Sequence, residues 1–207
     1  MTVSTKEVAG TTVLTVPNQL TVARLILSIV LFALLPFKFY LTSLVVFVIA
    51  ASTDWLDGYL ARRYGWVTVL GRILDPFVDK IIICGTFIFL AAVPASPTSP
   101  GSQVQAWMVV VIVGRELLVT ALRSFLEQQG ADFSASMSGK LKMVVQCIAA
   151  GSSLFLLSYS DPANASAPPD APPALVWLVV ASVWAAVLLT IYSGVAYVRA
   201  AIALFRR

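Results

Sequence analysis

Four aspartates stand at fixed intervals in the stretch TDWLDGYLARRYGWVTVLGRILDPFVDK, Thr53–Lys80. Asp54 and Asp57 are three residues apart; Asp75 and Asp79 are four apart. On a helix both spacings put the members of a pair on one face. If the two faces converge, four carboxylates share one pocket and repel unless cations lie between them. Hard, oxygen-seeking ions such as Mg²⁺ or Mn²⁺ suit carboxylates, and two such ions side by side suit displacement at phosphorus. Small residues accompany the acids: Gly58 follows Asp57, Ala61 lies one turn on, and Gly71 precedes Asp75 by four. Surface free of side chains lets a bulky ligand approach the helix backbone, and Arg62 is placed to pair with a phosphate. Capping of helix ends explains Arg63, Arg72 and Lys80, which can snorkel. It does not explain four acids on a membrane face that is already negative.

The elements that must hold these groups are apolar. Of 207 residues, 59% are hydrophobic and 12% charged, and the mean hydropathy is +0.90. An ordinary soluble domain carries about 25% charged residues, so this composition reads as an integral membrane protein. There is no histidine, which excludes Ser-His-Asp and Cys-His nucleophile pairs and histidine metal sites. Acid–base work and metal binding then fall to carboxylates. Cys84 and Cys147 lie in apolar runs without a CxxC neighbour and read as buried free thiols.

A bilayer needs about 20 apolar residues per helix, and six runs qualify: Leu20–Leu35, Leu41–Leu60, Arg72–Val93, Gln105–Leu126, Lys142–Ser158 and Ala174–Val198. Pro36, Pro94–Pro100 and Asp161–Pro173 punctuate the gaps as Pro-rich loops. With the N-terminus inside, 13 of the 14 Lys and Arg residues fall on the inner side and only Lys38 outside, which places both termini in the cytoplasm. The expected organisation is a cytoplasmic segment over residues 1–19, a six-helix transmembrane catalytic domain over 20–198, and a basic cytoplasmic tail over 199–207. Thr11–Gln19 is expected as a short interfacial helix. The start MTVSTKEVAG is too polar for the apolar region of a signal peptide. The sequon at Asn164-Ala165-Ser166 is expected to be a chance match. Trp55, Trp66, Trp107, Trp177 and Trp184 fit an interfacial belt.

Several inner-side cations lack an obvious acidic partner: Arg24, Arg115 with Arg123 two turns on, and Lys140 with Lys142. Converging Arg and Lys suit an acceptor that is itself a phosphate. Two plainer readings stand beside this one: Arg115 can pair with Glu116, and Lys140 and Lys142 can be ordinary positive-inside residues. A divalent-cation transporter would also carry intramembrane acids, but these acids cluster on one side and not at the midplane, where transporters bind ions.

The pattern Asp54-x2-Asp57-Gly58-x2-Ala61-Arg62-x8-Gly71-x3-Asp75-x3-Asp79 resembles the signature of the CDP-alcohol phosphotransferases. The resemblance implies an all-α integral membrane fold of six transmembrane helices, usually a homodimer, with the active site facing the cytoplasm. It implies transfer of a phosphatidyl or related group from a CDP-linked donor to an alcohol, with CMP as product. It assigns Asp54, Asp57, Asp75 and Asp79 to divalent metal, Asp79 also to the general base, and Gly58, Ala61, Arg62 and Gly71, with Asp54 and Asp57, to the cytidine diphosphate pocket. The flanking PNQLTVAR (Pro17–Arg24), GRE and ALR on the fourth span, and GKLK followed by Gln146 resemble the branch of the family that makes phosphatidylglycerol phosphate. That branch takes CDP-diacylglycerol, a membrane lipid, and sn-glycerol 3-phosphate. Arg115, Arg123, Lys140, Lys142 and Arg24 are then the expected acceptor residues. Met143 and Arg72 depart from the branch's usual residues, and branches using phosphatidylglycerol or inositol phosphate remain alternatives. No nucleic-acid partner is expected.

Overall fold

The computed structural model describes residues 16–64, 69–96, 99–128, 137–160 and 171–205. Among these residues six α-helices follow one another: α1 (Val16–Leu34), α2 (Tyr40–Tyr64), α3 (Val69–Ala91), α4 (Ala106–Gln128), α5 (Met137–Leu157) and α6 (Pro173–Phe205). No β-strand occurs among the described residues. Prolines mark several boundaries. Pro17 and Pro173 sit in the first turns of α1 and α6, where a missing N–H costs nothing. Pro36 lies in a 3₁₀ turn, Leu35–Phe37, closed by Lys38 in the left-handed region with its N–H on the Leu35 carbonyl at 3.0 Å.

Each helix turns a stripe of the 3.6-residue period into the bundle. On α1 the buried residues are Thr21, Arg24, Ser28 and Leu31, and Leu35 just after it continues the stripe. On α5 the buried residues include Lys142, Gln146, Ala149, Ser153 and Leu156, and on α6 Val179, Val183, Ala186, Thr190, Ser193 and Tyr197. The stripes run from polar to apolar along α1 and α5, and from apolar to polar along α6. Neighbouring α5 and α6 therefore run in opposite directions, and the bundle has one polar end and one apolar end. Leu31, Phe47, Phe87, Leu90, Met108, Ile112, Leu154 and Val183 fill the apolar part. Several buried hydroxyls are satisfied within their own helices, as Ser28 on the Arg24 carbonyl at 2.8 Å and Thr86 on the Ile82 carbonyl at 2.7 Å.

The outer surface is apolar. Ile29, Val110, Leu117 and Trp177 are each more than 60% exposed, and a protein surrounded by water rarely shows such a belt. Two helical segments, Gln19–Phe37 and Pro173–Ile202, are long and apolar enough to cross a bilayer. The protein is a membrane protein.

Some expected boundaries shift. The structure joins Val16–Gln19 to α1 and does not set them apart as part of an interfacial helix; Thr11–Thr15 lie outside the described residues. α5 begins at Met137, so Lys142 stands inside the helix and not at its start. α6 continues past Val198 through Arg199 to Phe205, because Ala200–Leu204 is still helix-forming sequence. Neither cysteine is in a disulfide, as expected, but both are half-buried where full burial was expected. The sequon lies outside the described residues.

Gly85 on α3 meets the Phe32 ring of α1, and a Cβ there would stand 2.2 Å from the ring's tip. Phe32 is itself stacked on Phe89 at 5.5 Å, so it cannot move aside freely. Gly85→Ala is expected to destabilise the bundle by about 1–3 kcal/mol, the usual cost of overpacking. A lowered thermal midpoint in detergent would register it, and an unchanged midpoint would show that the α1–α3 contact is looser than this.

Candidate active site

The helical backbone of α2 runs through Tyr64 and that of α3 starts at Val69. Asp54 and Asp57 therefore share one face of α2, and Asp75 and Asp79 one face of α3. Only four residues of sequence separate the two helices. The side chains of Asp54, Asp57, Gly58, Ala61, Arg62, Gly71, Asp75 and Lys140 lie outside the described residues, so the expectations placed on them stand as sequence readings.

Asp79 is described, and it is tied across the bundle. Arg24 of α1 donates Nη1 to Asp79 Oδ1. The Arg24 side chain is wholly buried, while a quarter of the Asp79 side chain remains exposed. The sequence grouped Arg24 with the acceptor cations; the structure attaches it to the carboxylate expected to act as base. Pro76, one turn earlier, has no N–H to give to the preceding turn of α3.

Beside Asp79 opens a cavity of about 170 Å³, lined by Lys80, Cys84, Glu116, Lys142, Met143 and Gln146 among others. It brings Asp79 of the aspartate motif together with Lys142 of the acceptor set. Lys80, read from sequence as a snorkelling residue, lines the same wall. A larger cavity of about 690 Å³ between the ends of α1 and α3 and the start of α2 is mostly apolar, and Lys38 is the charged residue in its lining. It offers no acid for chemistry.

A second ion network lies behind the first. Lys142 Nζ donates to Glu116 Oε1, and Arg115 Nη1 reaches the same oxygen at 3.3 Å. Arg115 also donates to Ser193 Oγ and lies over the Tyr197 ring, 5.5 Å from its centre. Gly194 leaves room for its stem, since a Cβ there would stand 3.2 Å from Arg115 Cγ. Arg115 thus reaches Lys142 through Glu116, but its guanidinium faces α6. Arg123 is exposed at the end of α4. Gln146 donates to Thr190 Oγ1 at 3.1 Å.

The structure thus brings Asp79, Arg24 and Lys142 to one place and sets Arg115 behind it. Sequence reading missed Glu116 as a hub, treating it only as a neighbour of Arg115. The signal was present: a lone acid inside an apolar span is costly and marks a functional group. Among the described residues no three metal-ligating side chains cluster. Asp79 stands at the cavity edge, and positions 54, 57 and 75 fall on the helix faces set by α2 and α3.

The sequence profile of CDP-alcohol phosphatidyltransferases matches residues 14–192. CDP-diacylglycerol–glycerol-3-phosphate 3-phosphatidyltransferase of Bacillus subtilis (strain 168) is 35% identical over 196 residues, covering 87% of this chain and 92% of the relative. A protein of Mycobacterium tuberculosis (strain CDC 1551 / Oshkosh) named probable phosphatidylglycerophosphate synthase is 38% identical over 157 residues, 76% of this chain and 64% of that one. The Sodalis glossinidius (strain morsitans) protein bearing the same name as the Bacillus relative is 32% identical over 145 residues, 66% of this chain and 74% of the relative.

Proposed function

The chain belongs to the CDP-alcohol phosphatidyltransferase family, and we propose that it transfers the phosphatidyl group of CDP-diacylglycerol to sn-glycerol 3-phosphate, releasing CMP. The product is phosphatidylglycerol phosphate, an intermediate of phospholipid synthesis. The observation that supports this reading most is the shared cavity: Asp79, from the aspartate motif, and Lys142, from the cationic set, line the same space. A transferase for a charged acceptor needs a base and a phosphate anchor within one substrate's length of each other.

The acyl chains of the donor stay in the bilayer between helices whose outer faces are apolar, and the head group lies at the polar end of the bundle. Six spans with both termini in the cytoplasm put that end at the inner surface, consistent with the charge bias of the sequence. Gly58, Ala61 and Gly71 leave room for the cytidine diphosphate, and Arg62 pairs with its phosphate. Asp54, Asp57, Asp75 and Asp79 would hold divalent ions, Mg²⁺ or Mn²⁺. The donor set fits: two pairs of carboxylates, each on one helix face, are hard oxygen ligands. Bound there, such ions neutralise the diphosphate and favour departure of CMP.

Asp79 accepts the proton of the glycerol hydroxyl as its oxygen bonds to the phosphorus carrying diacylglycerol. The bond from that phosphorus to the bridging oxygen breaks, and CMP leaves with the cytidine-side phosphate. Arg24 orients the Asp79 carboxylate from below. Lys142, with Lys140, Arg115 and Arg123, draws the acceptor's phosphate to the same side, where charge-assisted hydrogen bonds hold it.

Purified protein given CDP-diacylglycerol and one acceptor at a time tests the assignment. CMP release is expected with glycerol 3-phosphate, and little with phosphatidylglycerol or inositol phosphate. Release that follows one of those two instead would place the chain in another branch of the family. Metal flux into liposomes without CMP release would make it a transporter.

A further inference from the structure

Glu116 is an acid that neither the base step nor the metal set uses, yet it sits at the centre of the acceptor side. It is buried on α4 and takes hydrogen bonds from Lys142 of α5 and, at 3.3 Å, from Arg115 of its own helix. Arg115 is fixed in turn by Ser193 and Tyr197 of α6, and Gln146, one turn after Lys142, is fixed by Thr190 of α6. Three helices are therefore tied around one carboxylate, and that carboxylate lines the same cavity as Lys142 and Asp79. A lysine is a point charge on a flexible four-carbon stem. Left alone, its ammonium would sample several positions in the cavity. A fixed carboxylate on one side selects one of them and leaves the remaining N–H groups for a ligand.

We infer that Glu116 is a positioning residue for the acceptor. It holds the Lys142 ammonium in the geometry that receives the phosphate of glycerol 3-phosphate, while the same oxygen ties the Arg115 guanidinium behind it. This rests on the proposed reading of Lys142 as an acceptor residue. A merely structural tie between α4 and α5 would lower yield and thermal stability, but would not separate the two substrates in the kinetics.

Steady-state CMP release in mixed micelles, with each substrate varied in turn, tests it on Glu116→Gln, Glu116→Asp, Lys142→Met and the double variant Glu116→Gln/Lys142→Met. Glu116→Gln is expected to raise the KM for glycerol 3-phosphate about tenfold, with a much smaller change in the KM for CDP-diacylglycerol. Glu116→Asp keeps the charge and is expected to fall between wild type and Gln; it carries the test if the Gln variant does not accumulate. In the Lys142→Met background the Gln substitution is expected to add little, because residues in one network are not additive. An unchanged acceptor KM in Glu116→Gln beside a raised one in Lys142→Met would overturn the inference alone. So would full additivity in the double variant. An unchanged acceptor KM in Lys142→Met would overturn the acceptor reading of Lys142 itself.

Discussion

Asp79→Asn is expected to lower the rate of CMP release at saturating substrates by about a thousandfold, within the range general-base catalysis contributes. The substitution keeps shape and removes both the proton acceptor and one charged oxygen donor of the metal set. It also leaves Arg24, whose side chain has no exposure to water, facing a neutral amide in place of a carboxylate. Stability is therefore expected to fall as well, since removing one charge of a buried ion pair is destabilising. CDP-diacylglycerol binding, measured on the same preparation, separates the effects. A variant that binds the donor and turns over at the wild-type rate would show that Asp79 is not the base.

Removing divalent ions is the second large effect. Excess EDTA is expected to reduce turnover at least a hundredfold, and Mg²⁺ or Mn²⁺ added beyond the chelator to restore it, while Ca²⁺, larger and looser in its geometry, restores less. The physical reason is charge. Two carboxylate pairs and a diphosphate are all negative, and of the eight signature positions only Arg62 is a cation. Turnover indifferent to EDTA would mean that the aspartates serve the reaction without ions between them.

The helices that carry the aspartates could be read from the sequence alone. The aspartate spacing states its own geometry, because intervals of three and four have one meaning on a helix, and α2 and α3 are helices over those intervals. The six apolar runs overlap the six helices for the same reason: period and hydropathy are local properties. What could not be read is tertiary. Arg24 in sequence is one cation among several; only packing of α1 on α3 reveals that it serves Asp79. Glu116 stands next to Arg115 in the chain, and that adjacency concealed its link to Lys142 on another helix. Hydropathy also placed the start of α5 too late, since Met137–Lys140 is polar enough to look like loop while its backbone is already helical.

The most direct measurement follows both halves of the transfer together: CMP released into water, and labelled glycerol 3-phosphate carried into the lipid phase, in one reaction with CDP-diacylglycerol. One CMP per labelled glycerol phosphate in lipid is the expected ratio, with both signals absent when either substrate is left out. CMP appearing with no label in the lipid would mean that water takes the phosphatidyl group, and the cavity shared by Asp79 and Lys142 would then have no acceptor to hold.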